Sequence, residues 1–78
     1  MTNWQQKRTM TPEQLDISVK LLGLDRAKLG RVIGRSERTM RRYARGEREM
    51  PVSEVLLIRA MVRFHVRPIV PNWSAEQN

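Results

Sequence analysis

The sequence predicts an all-α domain of four helices, and three observations predict it. Apolar residues recur at helical spacing, as at Leu15, Val19 and Leu22, and no confident strand alternation is present. Residues with capping chemistry, Thr11, Asp25 and Ser36, stand before the first three periodic stretches. Gly23, Gly34 and Gly46 stand after them, where a chain leaving a helix favours a left-handed residue.

The elements follow in order. Residues Met1 to Met10 are polar, with Trp4 and the pair Lys7-Arg8, and show no period; they read as a flexible arm. In Thr11-Pro12-Glu13-Gln14, Thr11 suits the cap, Pro12 the first helical position, and Gln14 the reciprocal place of a capping box. Leu15, Val19 and Leu22 form the stripe of this helix, which Ile17 and Leu21 widen, and Gly23 closes it. Asp25 opens a short second helix with Leu29, Val32 and Ile33 as its apolar face and Gly34 at its end. Ser36 opens a third, with Met40 and Tyr43 inward and Gly46 at its end. Pro51 opens a fourth helix that runs to about Phe64 and is apolar over more than one face. Leu57, Met61 and Phe64 fall on one line of it, and Val55, Ile58 and Val62 on another. One line serves the core and the other a two-fold partner, so the sequence predicts a homodimer built on Val55 to Val70. Its candidate contacts are Leu57, Met61, Phe64, Val66 and Ile69. The domain thus spans residues 11–66. Residues 67–78 form a tail or dimer-contact segment, within which Pro68 and Pro71 oppose a fifth helix. Val66 to Val70 fits a short extended segment.

A chain of 78 residues holds one domain. It buries only about 60% of the surface it exposes when unfolded. Without cysteine it has neither disulfides nor thiolate metal sites, so packing and a partner subunit must supply its stability. Fifteen Lys and Arg against eight acidic residues leave a net charge of +7, and twelve of the fifteen are Arg. Guanidinium groups bind phosphates and guanine edges bidentately, so this balance points to a polyanionic partner, nucleic acid before anionic membrane. Nine of the fifteen lie between Arg26 and Arg48 with only Glu37 and Glu47 against them, a local bias that a solvated helix face does not usually have. A lone His65 with no nearby ligand pattern makes no metal site, and no nucleophile triad or phosphate loop is present. An enzyme, a cofactor and a small-molecule ligand are therefore not expected. The N-terminus lacks the apolar core of a signal peptide, and the longest apolar run, Val55 to Ile58, is far short of a membrane span. A cytoplasmic, nucleoid-associated protein is the expectation.

The most informative spacing lies in residues 25–46. Two short helices joined by a tight turn must cross steeply to present one of them to a DNA groove. The crossing needs a small residue on the first helix, which Gly30 supplies, and a left-handed residue at the turn, which Gly34 supplies. Leu29 and Ile33 then grip the core from one helix, Met40 and Tyr43 from the other. The run LDRAKLGRVIGRSERTMRRYARGEREMPVSEVLLI resembles the Cro/lambda-repressor-like (XRE-type) helix-turn-helix family, and the resemblance covers about Thr11 to Val62. It implies a compact DNA-binding domain of four or five helices, here trimmed to four. It depends on a polar cap, a Leu followed by a small residue, Gly-x-Ser, an aromatic, Gly, and a short loop with Pro. Two positions depart from the pattern. Gly30 replaces the more common Ala, a benign change, and Arg35 stands where many members carry an apolar residue, which leaves the turn more exposed or lets it reach phosphate. In size and layout the chain also resembles small phage or mobile-element regulators, anti-CRISPR-associated repressors among them.

If the third helix reads DNA, its outward face carries Glu37, Arg38, Arg41, Arg42 and Arg45. By resemblance, Glu37, Arg38 and Arg42 hold the positions that meet base edges. Arginine bonds guanine O6 and N7, and Glu accepts from cytosine N4, although Glu37 also suits the helix dipole. Arg41 and Arg45 lie further along and suit phosphates. Arg26 matches a backbone-clamping position at a helix start. Ser36 and Thr39 can reach phosphate, though capping alone explains Ser36; Arg35, Arg48 and Lys7-Arg8 are further phosphate candidates. The sequence therefore predicts a dimeric repressor, autoregulatory because no effector domain is present, that binds an inverted repeat in double-stranded DNA. The alternative is an antitoxin-type protein that binds both DNA and a partner protein.

Overall fold

Four helices, α1 (Pro12–Leu21), α2 (Arg26–Ile33), α3 (Glu37–Ala44) and α4 (Val52–Arg63), make up a computed structural model that describes residues 9–71. No strand occurs among the described residues, so Val66 to Val70 has no ladder partner there. Trp4, Lys7-Arg8 and Trp73 lie outside the described residues.

Side-chain caps account for the first three helix starts, while α4 begins after Pro51 with no side-chain cap. The Gln14 N–H donates to Thr11 Oγ1 at 3.1 Å while the Thr11 N–H donates to Gln14 Oε1 at 3.0 Å, a complete capping box. Asp25 Oδ1 accepts from the Lys28 N–H at 2.8 Å, and Ser36 Oγ from the Thr39 N–H at 3.2 Å. Each helix end uses one device, a backbone N–H bonded to the carbonyl five residues back. Leu24 reaches Val19 at 3.1 Å, Arg35 reaches Gly30 at 2.7 Å, Glu47 reaches Arg42 at 2.9 Å, and Val66 reaches Met61 at 2.9 Å. The residue before each donor must turn left-handed. It is glycine at the first three ends and His65, with φ +54°, at the fourth.

The core draws on every element. Leu15, Val19 and Leu22 come from α1 and its cap, Leu29 from α2, Met40 and Tyr43 from α3, and Val55, Ile58 and Met61 from α4, with Met50 from the α3–α4 connection. Leu29, Val55 and Ile58 have no measurable exposure. Helix α1 touches all three others, and α2 packs on α3. Two apolar assignments need correction. Ile17 and Leu21 do not widen the buried stripe; both are exposed, because Leu15, Val19 and Leu22 already fill the space α1 covers. Met61 is not a partner-facing residue: at 6% exposure it lies in the core with Val55 and Ile58. The outer face of α4 instead carries Leu56 and Leu57, with Phe64 at its end, and Val66 and Ile69 are exposed beyond it. Among the described residues, no helix is long and apolar enough to cross a membrane.

Candidate nucleic-acid interface

Helix α3 sorts its residues as the period of 3.6 requires. Met40 and Tyr43 are buried, while Glu37, Arg38, Arg41, Arg42 and Arg45 are exposed. Arg38, Arg41 and Arg42 make no ion pair among the described residues. Arg45 lies 4.0 Å from Glu47, a loose exposed pair. The Arg48 guanidinium sits 5.8 Å from the centre of the Tyr43 ring. Glu37 occupies the first turn of α3, so its carboxylate also meets the helix N-terminus favourably. The Ser36 hydroxyl accepts from the Thr39 N–H and donates to Thr39 Oγ1 at 3.1 Å. Capping and this contact account for the Ser36 hydroxyl without a phosphate.

The start of α2 and the first turns of α3 enclose an open cleft of about 400 Å³ lined by Asp25, Arg26, Ala27, Glu37, Met40 and Arg41. The turn thereby brings Arg26, from one helix, beside Glu37 and Arg41, from the next. The close approach of α2 and the turn depends on Gly30. A Cβ there would stand 2.8 Å from the Arg35 carbonyl oxygen and 2.8 Å from Met40 Cγ, closer than atoms pack. Alanine at this position is therefore not benign in this chain. At Gly34, φ is +81°.

The arrangement behind α3 corrects the assignment of Arg35 to phosphate. Its Nε donates to Glu54 Oε2 at 2.7 Å, and its Nη2 forms an ion pair with the same oxygen at 2.6 Å. The Tyr43 hydroxyl donates to the other oxygen, Oε1, at 3.0 Å. Glu54, in the first turn of α4, is buried at 8% exposure. One carboxylate therefore ties the α2–α3 turn and the C-terminal end of α3 to α4. Hydrogen bonding to Glu54 holds the Arg35 guanidinium still more firmly charged. Burial, followed by the Glu54 hydrogen bond and charge, raises the Tyr43 phenol above its ordinary value. Sequence reasoning gave Glu54 no role. Its signal was register: positions 54, 58 and 61 share a helix face, so an acid at 54 stands in line with core residues.

A pH dependence follows from Tyr43. A proton held more tightly in the folded state stabilises that state below the unfolded phenol's pKa, near about 10. That stability is lost as pH rises through the higher folded value. Folding stability should fall on the alkaline side of about pH 10, and Tyr43→Phe should remove this component. Denaturant melts across the alkaline range check it; an identical alkaline decline in both proteins would refute it.

Comparison with protein-family models, with curated proteins and with solved structures returns no match to this chain.

Proposed function

We propose that the chain is a sequence-specific regulator that binds double-stranded DNA through a helix-turn-helix formed by α2 and α3. The observation that carries this reading is the outward face of α3, where Arg38, Arg41 and Arg42 are exposed and unpaired among the described residues beside the single acid Glu37. Phosphate attraction alone has no use for Glu37, whereas a base-reading surface does. Arg38, Arg42 and Glu37 read base edges in the major groove. Arg41 and Arg45 contact phosphates, as do Arg26 at the α2 N-terminus, Thr39 and Arg48. Two copies joined through the exposed Leu57, Phe64, Val66 and Ile69, with Leu56, read an inverted repeat, and occupancy of that operator represses transcription. The protein works by binding, as a Cro/lambda-repressor-like (XRE-type) domain does, and needs no cofactor. Its place is the nucleoid.

Selection from a randomised duplex library at moderate salt tests the reading. The expected product is a palindromic site with half-sites about one helical turn apart. Arg42→Ala should then cost about 1–3 kcal/mol at one base position, and Arg41→Ala should weaken all sequences alike and lower the salt slope by about 1. If no sequence is enriched and binding decays uniformly with salt, the regulator reading is wrong.

A further inference from the structure

We propose that Glu54 is the positioning residue for α3: through Arg35 and Tyr43 it sets the orientation of the helix and thereby its base specificity. The inference rests on the DNA-binding reading above, but its geometry does not depend on it.

Helix α3 has eight residues and two buried side chains, Met40 and Tyr43. Met40 is unbranched and apolar; it fills space without preferring a direction. Helix α3 packs on α2 and α1, but the two helices α3 and α4 do not form an extensively packed pair. Besides the shared apolar core, α3 is linked to α4 by a directional contact, the Tyr43 hydroxyl on Glu54 Oε1 at 3.0 Å. The other oxygen of the same carboxylate accepts from Arg35 Nε and pairs with Arg35 Nη2, just before the α3 cap. The Arg35 backbone N–H is meanwhile fixed to the Gly30 carbonyl at 2.7 Å. A single buried anion thus holds α3 just ahead of its N-terminal cap and again near its C-terminal end. Two anchors along one axis define a tilt; with one anchor lost, only the apolar packing on α1 and α2 resists a change of tilt.

The lever is sensitive. At about 1.5 Å rise per residue, pivoting α3 by about 10° at Tyr43 moves its N-terminal turn by roughly 1–2 Å. Binding constellations tolerate displacements of only about 0.5 Å. With the Arg35 end released, Glu37 and Arg38 lie furthest from the Tyr43 pivot and move most; with the Tyr43 hydroxyl removed, the pivot is the Arg35 end and Arg42 moves most. Phosphate contacts from flexible arginines adjust to such a shift, whereas bidentate base contacts do not. Loss of the anchor therefore lowers the ratio of specific to non-specific affinity more than it lowers non-specific affinity.

Tyr43→Phe is the mildest probe, because the ring and its packing stay and only the hydroxyl goes. Glu54→Gln keeps the shape and an acceptor, and Arg35→Lys keeps the charge but not the two-point grip. For each folded variant, residual dipolar couplings of α3 amides report its orientation. Competition binding to the selected operator and to random duplex gives the specificity ratio. The expected result is altered α3 couplings in Tyr43→Phe, an unchanged non-specific affinity, and a specificity ratio lowered by about tenfold. The Glu54→Gln ratio should lie between wild type and Glu54→Ala, a partial rescue by the isostere. Unchanged couplings with an unchanged ratio would overturn the positioning role and leave Glu54 as packing alone. Altered couplings with an unchanged ratio would sever orientation from specificity. A wild-type protein with no preferred duplex would instead defeat the DNA-binding reading, while the couplings alone would decide whether Glu54 orients α3.

Discussion

Glu54→Ala should destabilise the domain by about 3 kcal/mol, the low end of the range for breaking a buried ion pair. The loss has two sources. The Tyr43 hydroxyl, buried with its ring, loses its acceptor, and the Arg35 guanidinium loses its charge-assisted bond and its ion pair. The low end applies because the Arg35 side chain keeps 34% exposure and water takes over part of its solvation. Small domains hold only several kcal/mol in reserve, so the urea midpoint should fall steeply while the slope stays constant. The triple change Arg35→Met, Tyr43→Phe and Glu54→Leu should recover most of the loss, because it removes the desolvation cost together with the bonds. A Glu54→Ala midpoint equal to wild type would mean that the carboxylate does not hold its partners in solution.

Gly30→Ala should also destabilise, by about 1–2 kcal/mol, against the usual helix preference for alanine. Replacing a helical glycine by alanine gains about 1 kcal/mol where there is room. Here the new Cβ would stand 2.8 Å from Met40 Cγ, within a fully packed core, and 2.8 Å from the Arg35 carbonyl. The carbonyl belongs to a peptide chain tied by its own N–H to Gly30 and by its side chain to Glu54, so it cannot retreat without breaking those bonds. Overpacking of this kind costs about 1–3 kcal/mol and outweighs the propensity gain. Gly30→Val, which adds two more carbons, should exceed about 3 kcal/mol. Thermal melts should show a drop of about 5–10 °C for the alanine variant, given the entropy of a domain this size. A melting temperature at or above wild type would mean that the turn yields. Gly23 is the control: nothing lies within 4 Å of its Cβ position, so its alanine variant loses only the left-handed backbone preference.

Both effects act on the same few ångströms of chain, the turn between α2 and α3. The turn is short because Gly34 is left-handed, close because Gly30 has no side chain, and braced because Glu54 lies behind it. The exposed face of α3 is only as well aimed as this turn.

Local chemistry by itself determined the helices of this protein. The Thr11 box, the Asp25 and Ser36 caps and the glycines at 23, 34 and 46 act within a few residues, so reading them in order places the first three helices and the inward turn of Met40 and Tyr43, and Pro51 with the apolar run after it places the fourth. The charge bias between Arg26 and Arg48 was equally legible, since it needs only counting. Tertiary structure decided which of several equivalent residues meet. Helical period cannot tell Met61 from Leu57 on an apolar helix; the position of α1 against α4 buries one and leaves the other outside. Nor can it tell Arg35 from its neighbours as a phosphate ligand. A buried carboxylate nineteen residues away claims that guanidinium, and the claim exists only once α4 has folded behind the turn.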